Sequence, residues 1–146
     1  MIGLNHVLAG TFLAVITPVE HLPYLPLIAL ASHFILDAVP HYGNDETALV
    51  GSHKFRRILQ IDASLCVLAV SFALYLYPDK YLWILIGAFF AAAPDILWLF
   101  EHRAKRRIAR LYFALAKKIQ WAEHPWAWSL EILWGMILIT LLIGFS

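Results

Sequence analysis

Five apolar runs, each separated from the next by proline, charge or both, dominate the chain. They cover roughly Ile2 to Val19, Leu22 to Val39, Ile58 to Tyr77, Tyr81 to Phe100 and Trp126 to Phe145. Each is about 18–20 residues, the length a helix needs to cross a hydrocarbon core at about 1.5 Å per residue. A soluble core does not absorb that much apolar sequence. The 146 residues are 62% hydrophobic and 14% charged, with a mean hydropathy of +0.72, against about 45–50% apolar in an ordinary soluble domain. The expectation is an all-α polytopic membrane protein, one domain over residues 1–146, with about five transmembrane helices.

Prolines punctuate the run ends at Pro18, Pro23, Pro26, Pro40, Pro78 and Pro125, whereas Pro94 lies inside the fourth run and predicts a kink there. The first run is no secretory signal: nothing basic precedes it, and Asn5 and His6 stand at its start. A single cysteine, Cys66, rules out an intrachain disulfide and a cysteine-based metal site. The net charge of +1 carries no global field toward nucleic acid.

Charge does set an orientation. With five crossings, Lys54, Arg56, Arg57, Arg103, Lys105, Arg106, Arg107, Arg110, Lys117 and Lys118 share one side, and Lys80 alone lies on the other. The positive-inside rule then places the N-terminus in the cytoplasm and the C-terminus outside a cell (inner or plasma) membrane. Residues 101–124 have Ile108, Leu111, Tyr112, Leu115, Ala116 and Ile119 at helical spacing, with the basic residues mostly on other faces. That pattern predicts a basic amphipathic helix on the cytoplasmic leaflet, drawn to anionic head groups. The alternative is a solvated connector. Trp98, Trp121, Trp126 and Trp128 read as interfacial anchors, and His53, His102 and His124 as loop residues.

Polar residues inside the runs segregate to one end. His6, His33, Asp37, His41, Asp62, Asp95 and Glu131 come from five segments, yet this topology puts all of them in the cytoplasmic half of the bilayer. Ionisable groups in lipid are costly and usually functional. His33 and Asp37 are four apart and share a helix face, and His41 follows at the same interval beyond Pro40. Imidazoles with carboxylates suit zinc, manganese or iron, and a coordinated carboxylate is no longer an unpaired buried charge. Each residue also has a plainer reading. His6 can cap its helix, His33 and Asp37 can lock two helices by hydrogen bonding, and Asp62 can pair with Lys54 or Arg57. Asp95 can satisfy backbone groups freed by Pro94, and Glu131 can pair with the basic helix.

The stretch SHFILDAVPHY, an H-x-x-x-D-x-x-P-H pattern in a small multi-helix membrane chain, resembles the YdjM-like family of membrane-bound metal-dependent hydrolases. NHVLAG, LQIDASL and PDILW extend the likeness over roughly residues 5 to 98. The resemblance implies a divalent metal, zinc above all, with His33, Asp37 and His41 as ligands and His6, Asp62 and Asp95 completing the site.

The leading expectation is a metal-dependent phosphoester hydrolase acting on a lipid or lipid-like substrate at the cytoplasmic face. Whichever of Asp62 and Asp95 does not ligate serves as catalytic base, and Arg56, Arg57 and the basic helix hold phosphate. The competing expectation is a non-enzymatic scaffold or assembly subunit whose His/Asp network only fixes helix packing. Ion transport is a weaker third, because the polar residues stop at mid-membrane. The sequence is compatible with a homo-oligomer and names no partner protein.

Overall fold

The computed structural model describes residues 1–43, 52–98 and 107–146. Within them the chain is all-α, with six helices: α1 (Gly3–Ile16), α2 (Leu25–Ala38), α3 (His53–Leu76), α4 (Tyr81–Trp98), α5 (Arg107–Ile119) and α6 (Trp128–Gly144). Short 3₁₀ turns over Val19–Tyr24 and Pro78–Lys80 lead into α2 and α4. Two-residue strands, β1 (His41–Tyr42) and β2 (Glu123–His124), pair in parallel and clip the end of α2 to the segment before α6.

Three segments are long and apolar enough to cross a membrane: Val19–Ala38, His53–Leu76 and Pro78–Leu97. The first and fifth apolar runs give shorter helices than expected, 14 residues in α1 and 17 in α6. At about 1.5 Å per residue α1 is roughly 21 Å long. It stops because Thr17 precedes Pro18 and takes an extended conformation, φ −68° and ψ 124°, as a residue before proline prefers. Thr17 then turns its hydroxyl back onto the Leu13 carbonyl at 2.6 Å. α3 begins earlier than expected. Ser52 caps it, accepting from the Phe55 N–H at 3.0 Å, so His53, expected in a loop, opens the helix.

α1 is the hub of the bundle, packed against α2, α3, α4 and α6. Its sequence explains this position. GLNHVLAGTFLAVI has no polar stripe, and a helix apolar all round belongs in an interior. Residues 5–11 are buried without a break. The tightest crossing is α1 on α4, where Gly10 and Gly87 meet backbone to backbone. A Cβ on Gly10 would stand 2.7 Å from the Ala91 Cβ, and one on Gly87 would stand 3.3 Å from the Ala14 Cβ. Small residues at helix contacts permit this approach in lipid-embedded bundles.

Helix direction follows from which ends touch. At one end the start of α1 meets Asp62 of α3 and Glu131 of α6, while the ends of α2 and α4 bring His33, Asp37 and Asp95. At the other end Tyr77 donates to the Leu142 carbonyl at 2.5 Å and Lys80 to the Val15 carbonyl. Thus α1, α3 and α6 run one way, and α2 and α4 the other. The purely apolar core, built on Ala14, Val15, Leu22, Leu25, Ala73, Ile84 and Leu142, fills the end remote from the polar residues.

The basic amphipathic segment is helical over Arg107–Ile119 and docks on α2. The two leucines of its apolar face are left open, as a face meant for the membrane surface would be, and a neighbouring strip packs on the protein. Phe113 and Ala116 are buried, whereas Leu111 and Leu115 are 60% and 53% exposed. Arg107, Arg110, Lys117 and Lys118 are exposed as expected. His102, Arg103, Lys105 and Arg106 lie outside the described residues, as do Glu101 and residues 44–51.

Candidate metal centre

His6 enters from the second turn of α1, His33 from the last two turns of α2, and Asp95 from the end of α4 beside Pro94. One ligand atom from each lies within 4.8 Å of the others, and the group can hold a metal ion. The two imidazoles stack with centroids 3.9 Å apart and 25° between planes. His6 Nε2 is 3.2 Å from Asp37 Oδ1 and 3.9 Å from Asp95 Oδ2. His33 Nε2 is 3.2 Å from Asp37 Oδ2 and 3.8 Å from Asp95 Oδ1. Both Nε2 atoms therefore face the gap between the same two carboxylates.

Two observations test whether this donor set suits a metal. His33 Nδ1 lies 2.7 Å from the Ala91 carbonyl oxygen. A carbonyl only accepts, so Nδ1 carries a proton; in the neutral imidazole this leaves the Nε2 lone pair for a metal, the arrangement that outer hydrogen bonds impose on metal-binding histidines. In that form Nε2 faces carboxylate oxygens and a cation between them would satisfy both, whereas in the imidazolium Nε2–H donates to Asp37 itself. The second observation is His6. Its ring is fully buried, and neither nitrogen has a hydrogen-bond partner of acceptable geometry among the described residues. A buried polar atom left so costs about 1–3 kcal/mol. Donor atoms about 2.0–2.1 Å from a tetrahedral ion stand about 3.3 Å apart, so the His6, His33 and Asp95 atoms, 3.8 and 3.9 Å apart in their nitrogen–oxygen pairs and all within 4.8 Å, would draw slightly together around one. The residues fit a divalent ion.

The other expected site residues have different partners. Asp37 is a hub: Oδ1 accepts from the Met1 amine at 3.1 Å and Oδ2 from Gln120 Nε2 at 3.0 Å, while both imidazoles press on it. Asp62 accepts from the Gly3 and Leu4 N–H groups at 3.0 Å each, capping α1 from a neighbouring helix. It forms no ion pair with Lys54 or Arg57 among the described residues, and it is not one of the three residues whose ligand atoms converge. His41, fully buried, also engages a carbonyl through Nδ1, that of Val39 at 2.7 Å, and points Nε2 at Glu123 Oε1, 3.5 Å away. Glu131 accepts from Asn5 Nδ2 at 2.6 Å and from the Tyr42 N–H at 3.0 Å rather than from the basic helix.

Three participants escape sequence reasoning. Asn5 is fully buried and ties α1 to α6. Gln120 and Glu123 reach Asp37 and His41 only because α5 and β2 fold back over α2. Asn5 carries a sequence signal, an amide beside His6 at the start of an apolar run. Gln120 and Glu123 carry none, since hydrophilic residues after a basic helix are ordinary.

No family model, no curated protein and no solved structure matches the chain.

Proposed function

We propose that the chain is a five-span membrane protein of the cell membrane and a metal-dependent hydrolase, related to the YdjM-like family, acting on a phosphoester of a lipid or lipid-linked substrate. The observation that carries this reading is the His6–His33–Asp95 group, one ligand atom of each lying within 4.8 Å of the others, with the His33 ring oriented by the Ala91 carbonyl. Zinc is the metal of choice for two imidazoles and a carboxylate, ahead of manganese and iron.

The exposed surface supports the membrane. Ile61, Leu65, Val67, Leu68 and Phe72 lie along the outside of α3, an apolar area that water does not tolerate on a monomer and that acyl chains cover. Trp121, Trp126 and Trp128 are exposed near the polar end of the bundle, as interfacial tryptophans are. The lipid-facing Leu111 and Leu115, beside Arg107 and Lys118, suit α5 to a surface of anionic head groups. By the lysine and arginine distribution that end is cytoplasmic, with the N-terminus inside and the C-terminus outside.

A divalent ion in this site supplies Lewis acidity to a phosphoryl oxygen and acidifies water near it. His6 and His33 would hold the ion, the His33 ring being oriented by the Ala91 carbonyl. Asp95, with a side chain 33% exposed, would be the carboxylate ligand and the group within reach to accept a proton from attacking water. Asp62 takes no part in this chemistry, because both its oxygens serve α1. The test is elemental analysis of the detergent-purified protein beside His33→Ala, followed by phosphate release from phospholipids and isoprenoid phosphates. Stoichiometric zinc in the wild type, absent from the variant together with phosphate release, supports the reading. A metal-free protein that takes up none on titration overturns it.

One observation favours a scaffold instead: Asp62 and Glu131 spend their carboxylates on joining helices. In that case His6 and His33 are packing residues, and the same elemental analysis finds no metal.

A further inference from the structure

Tyr112 is the buried polar group for which the site as described has no use. Its hydroxyl is shielded from solvent and has no hydrogen-bond partner among the described residues, although buried tyrosine hydroxyls ordinarily find one. One aromatic ring, that of Phe34, separates it from the metal centre. The Tyr112 ring packs edge-on against Phe34, centroids 6.5 Å apart. Phe34 packs edge-on against His33 at 5.4 Å, and His33 stacks on His6. Tyr112, Ala116 and Gln120 recur at four-residue intervals, and the Gln120 N–H still bonds the Ala116 carbonyl, 3.2 Å away, so all three share one helical face. Gln120 donates from that face to Asp37, and Ala116 is buried in it. The face of α5 that carries the unpartnered hydroxyl is thus the face that covers the His/Asp cluster.

We propose that the Tyr112 hydroxyl donates a hydrogen bond to an anionic oxygen of a phosphoryl ligand bound at the His6–His33–Asp95 group, with Gln120 fixing the helix face that presents it. This rests on the metal-dependent phosphoester reading above. It assigns α5 two roles, the outward leucines and basic residues meeting the membrane surface and the inward tyrosine meeting the phosphoryl group. The chemistry suits the partner. A neutral phenol donates to an oxyanion without adding charge to a buried site, and such charge-assisted bonds are stronger than neutral ones. Burial first, then the negative charges of Asp95 and Asp37, hold the Tyr112 phenol above its ordinary pKa, so the donor proton stays in place at neutral pH.

The experiment titrates inorganic phosphate into zinc-loaded, full-length protein in detergent by calorimetry, for the wild type and Tyr112→Phe. Zinc content and the unfolding midpoint are measured on the same samples. The expected result is equal zinc, an equal or higher midpoint because an unsatisfied hydroxyl has been removed, and phosphate binding about tenfold weaker or worse in the variant. Equal zinc with equal phosphate affinity overturns the proposal and leaves the metal reading intact. So does a wild type that binds zinc but no phosphate. A variant that loses zinc and midpoint together makes the hydroxyl structural and also overturns it. A wild type that binds no zinc overturns the metal reading itself, and the proposal with it.

Discussion

His6 and His33, 27 positions apart and on different helices, stack ring on ring with centroids 3.9 Å apart and their Nε2 atoms turned toward the same pair of carboxylates. Stacking alone would let the nitrogens point anywhere. Their shared direction makes a site, and a site for a cation gives linkage between metal and stability. A chelator should lower the unfolding midpoint of the wild type and leave that of His33→Ala unchanged. At free zinc 100 times Kd the expected stabilisation is about 2.7 kcal/mol. Thermal unfolding in detergent, with and without chelator, checks it, and a wild type indifferent to chelator counts against the site.

The Ala91 carbonyl that fixes the His33 ring stands one turn beyond Gly87, at the closest crossing in the bundle. The Gly10 Cβ position is 2.7 Å from the Ala91 Cβ, so even a methyl there pushes on the residue that orients the metal ligand. Gly10→Ala is therefore expected to cost about 1–3 kcal/mol through overpacking. It should also weaken zinc binding by about 10- to 100-fold, as the loss of an outer hydrogen bond does. A metal titration beside the melting curve separates the two effects. Unchanged zinc affinity in a destabilised protein would uncouple the crossing from the site.

Asp62 separates capping from chemistry. Its two oxygens accept from Gly3 and Leu4, the first N–H groups of α1, which have no partner within their own helix. Asp62→Ala strands both, and a lost cap costs about 1–2 kcal/mol. Zinc content should stay stoichiometric. A variant that keeps its melting midpoint and loses metal would return Asp62 to the ligand set.

Much of this was legible in the chain, and what was not has physical causes. Helix type and the polar end follow from hydropathy and from counting which ends of which runs carry His33, Asp95 and Glu131, because antiparallel neighbours bring such residues to one level. The i, i+4 pairing of His33 with Asp37 also needs only helix geometry. Division of labour among the carboxylates was not legible. Asp62, Asp37 and Asp95 are alike as letters. One caps α1, one is a hydrogen-bond hub and one is partly open, and these differences depend on which backbone amides and side chains face them across the bundle. Helix length misled for a related reason. An apolar run records what is buried, but Thr17 before Pro18 ends α1 whatever its hydropathy. The docking of α5 on the bundle also escaped, since a surface helix with outward Leu111 and Leu115 gives no sign that Phe113 and Ala116 take a contact with the protein.

Asp37 and Asp95 flank the same two imidazoles, yet their variants should fail in opposite ways. Asp37 is 3% exposed and is surrounded by the Met1 amine, Gln120 and both histidines. Asp37→Asn keeps the shape but removes the negative charge and replaces one acceptor oxygen with a donor amide facing the Met1 amine or Gln120, which themselves donate, and breaking a buried pair in this way costs about 3 kcal/mol. Asp95 is 33% exposed, and its nearest charged contacts, the histidine nitrogens, lie at 3.8 and 3.9 Å. Asp95→Asn should cost no more than about 1 kcal/mol, while stripping the ion of its only carboxylate in the converging group. The expected pattern is an Asp37→Asn protein whose midpoint falls below that of the chelator-treated wild type, and a zinc-free Asp95→Asn protein whose midpoint matches that of the chelator-treated wild type. Paired melting curves and elemental analysis read both quantities on each sample. The reverse pattern would make Asp37 the ligand and Asp95 the residue that only packs.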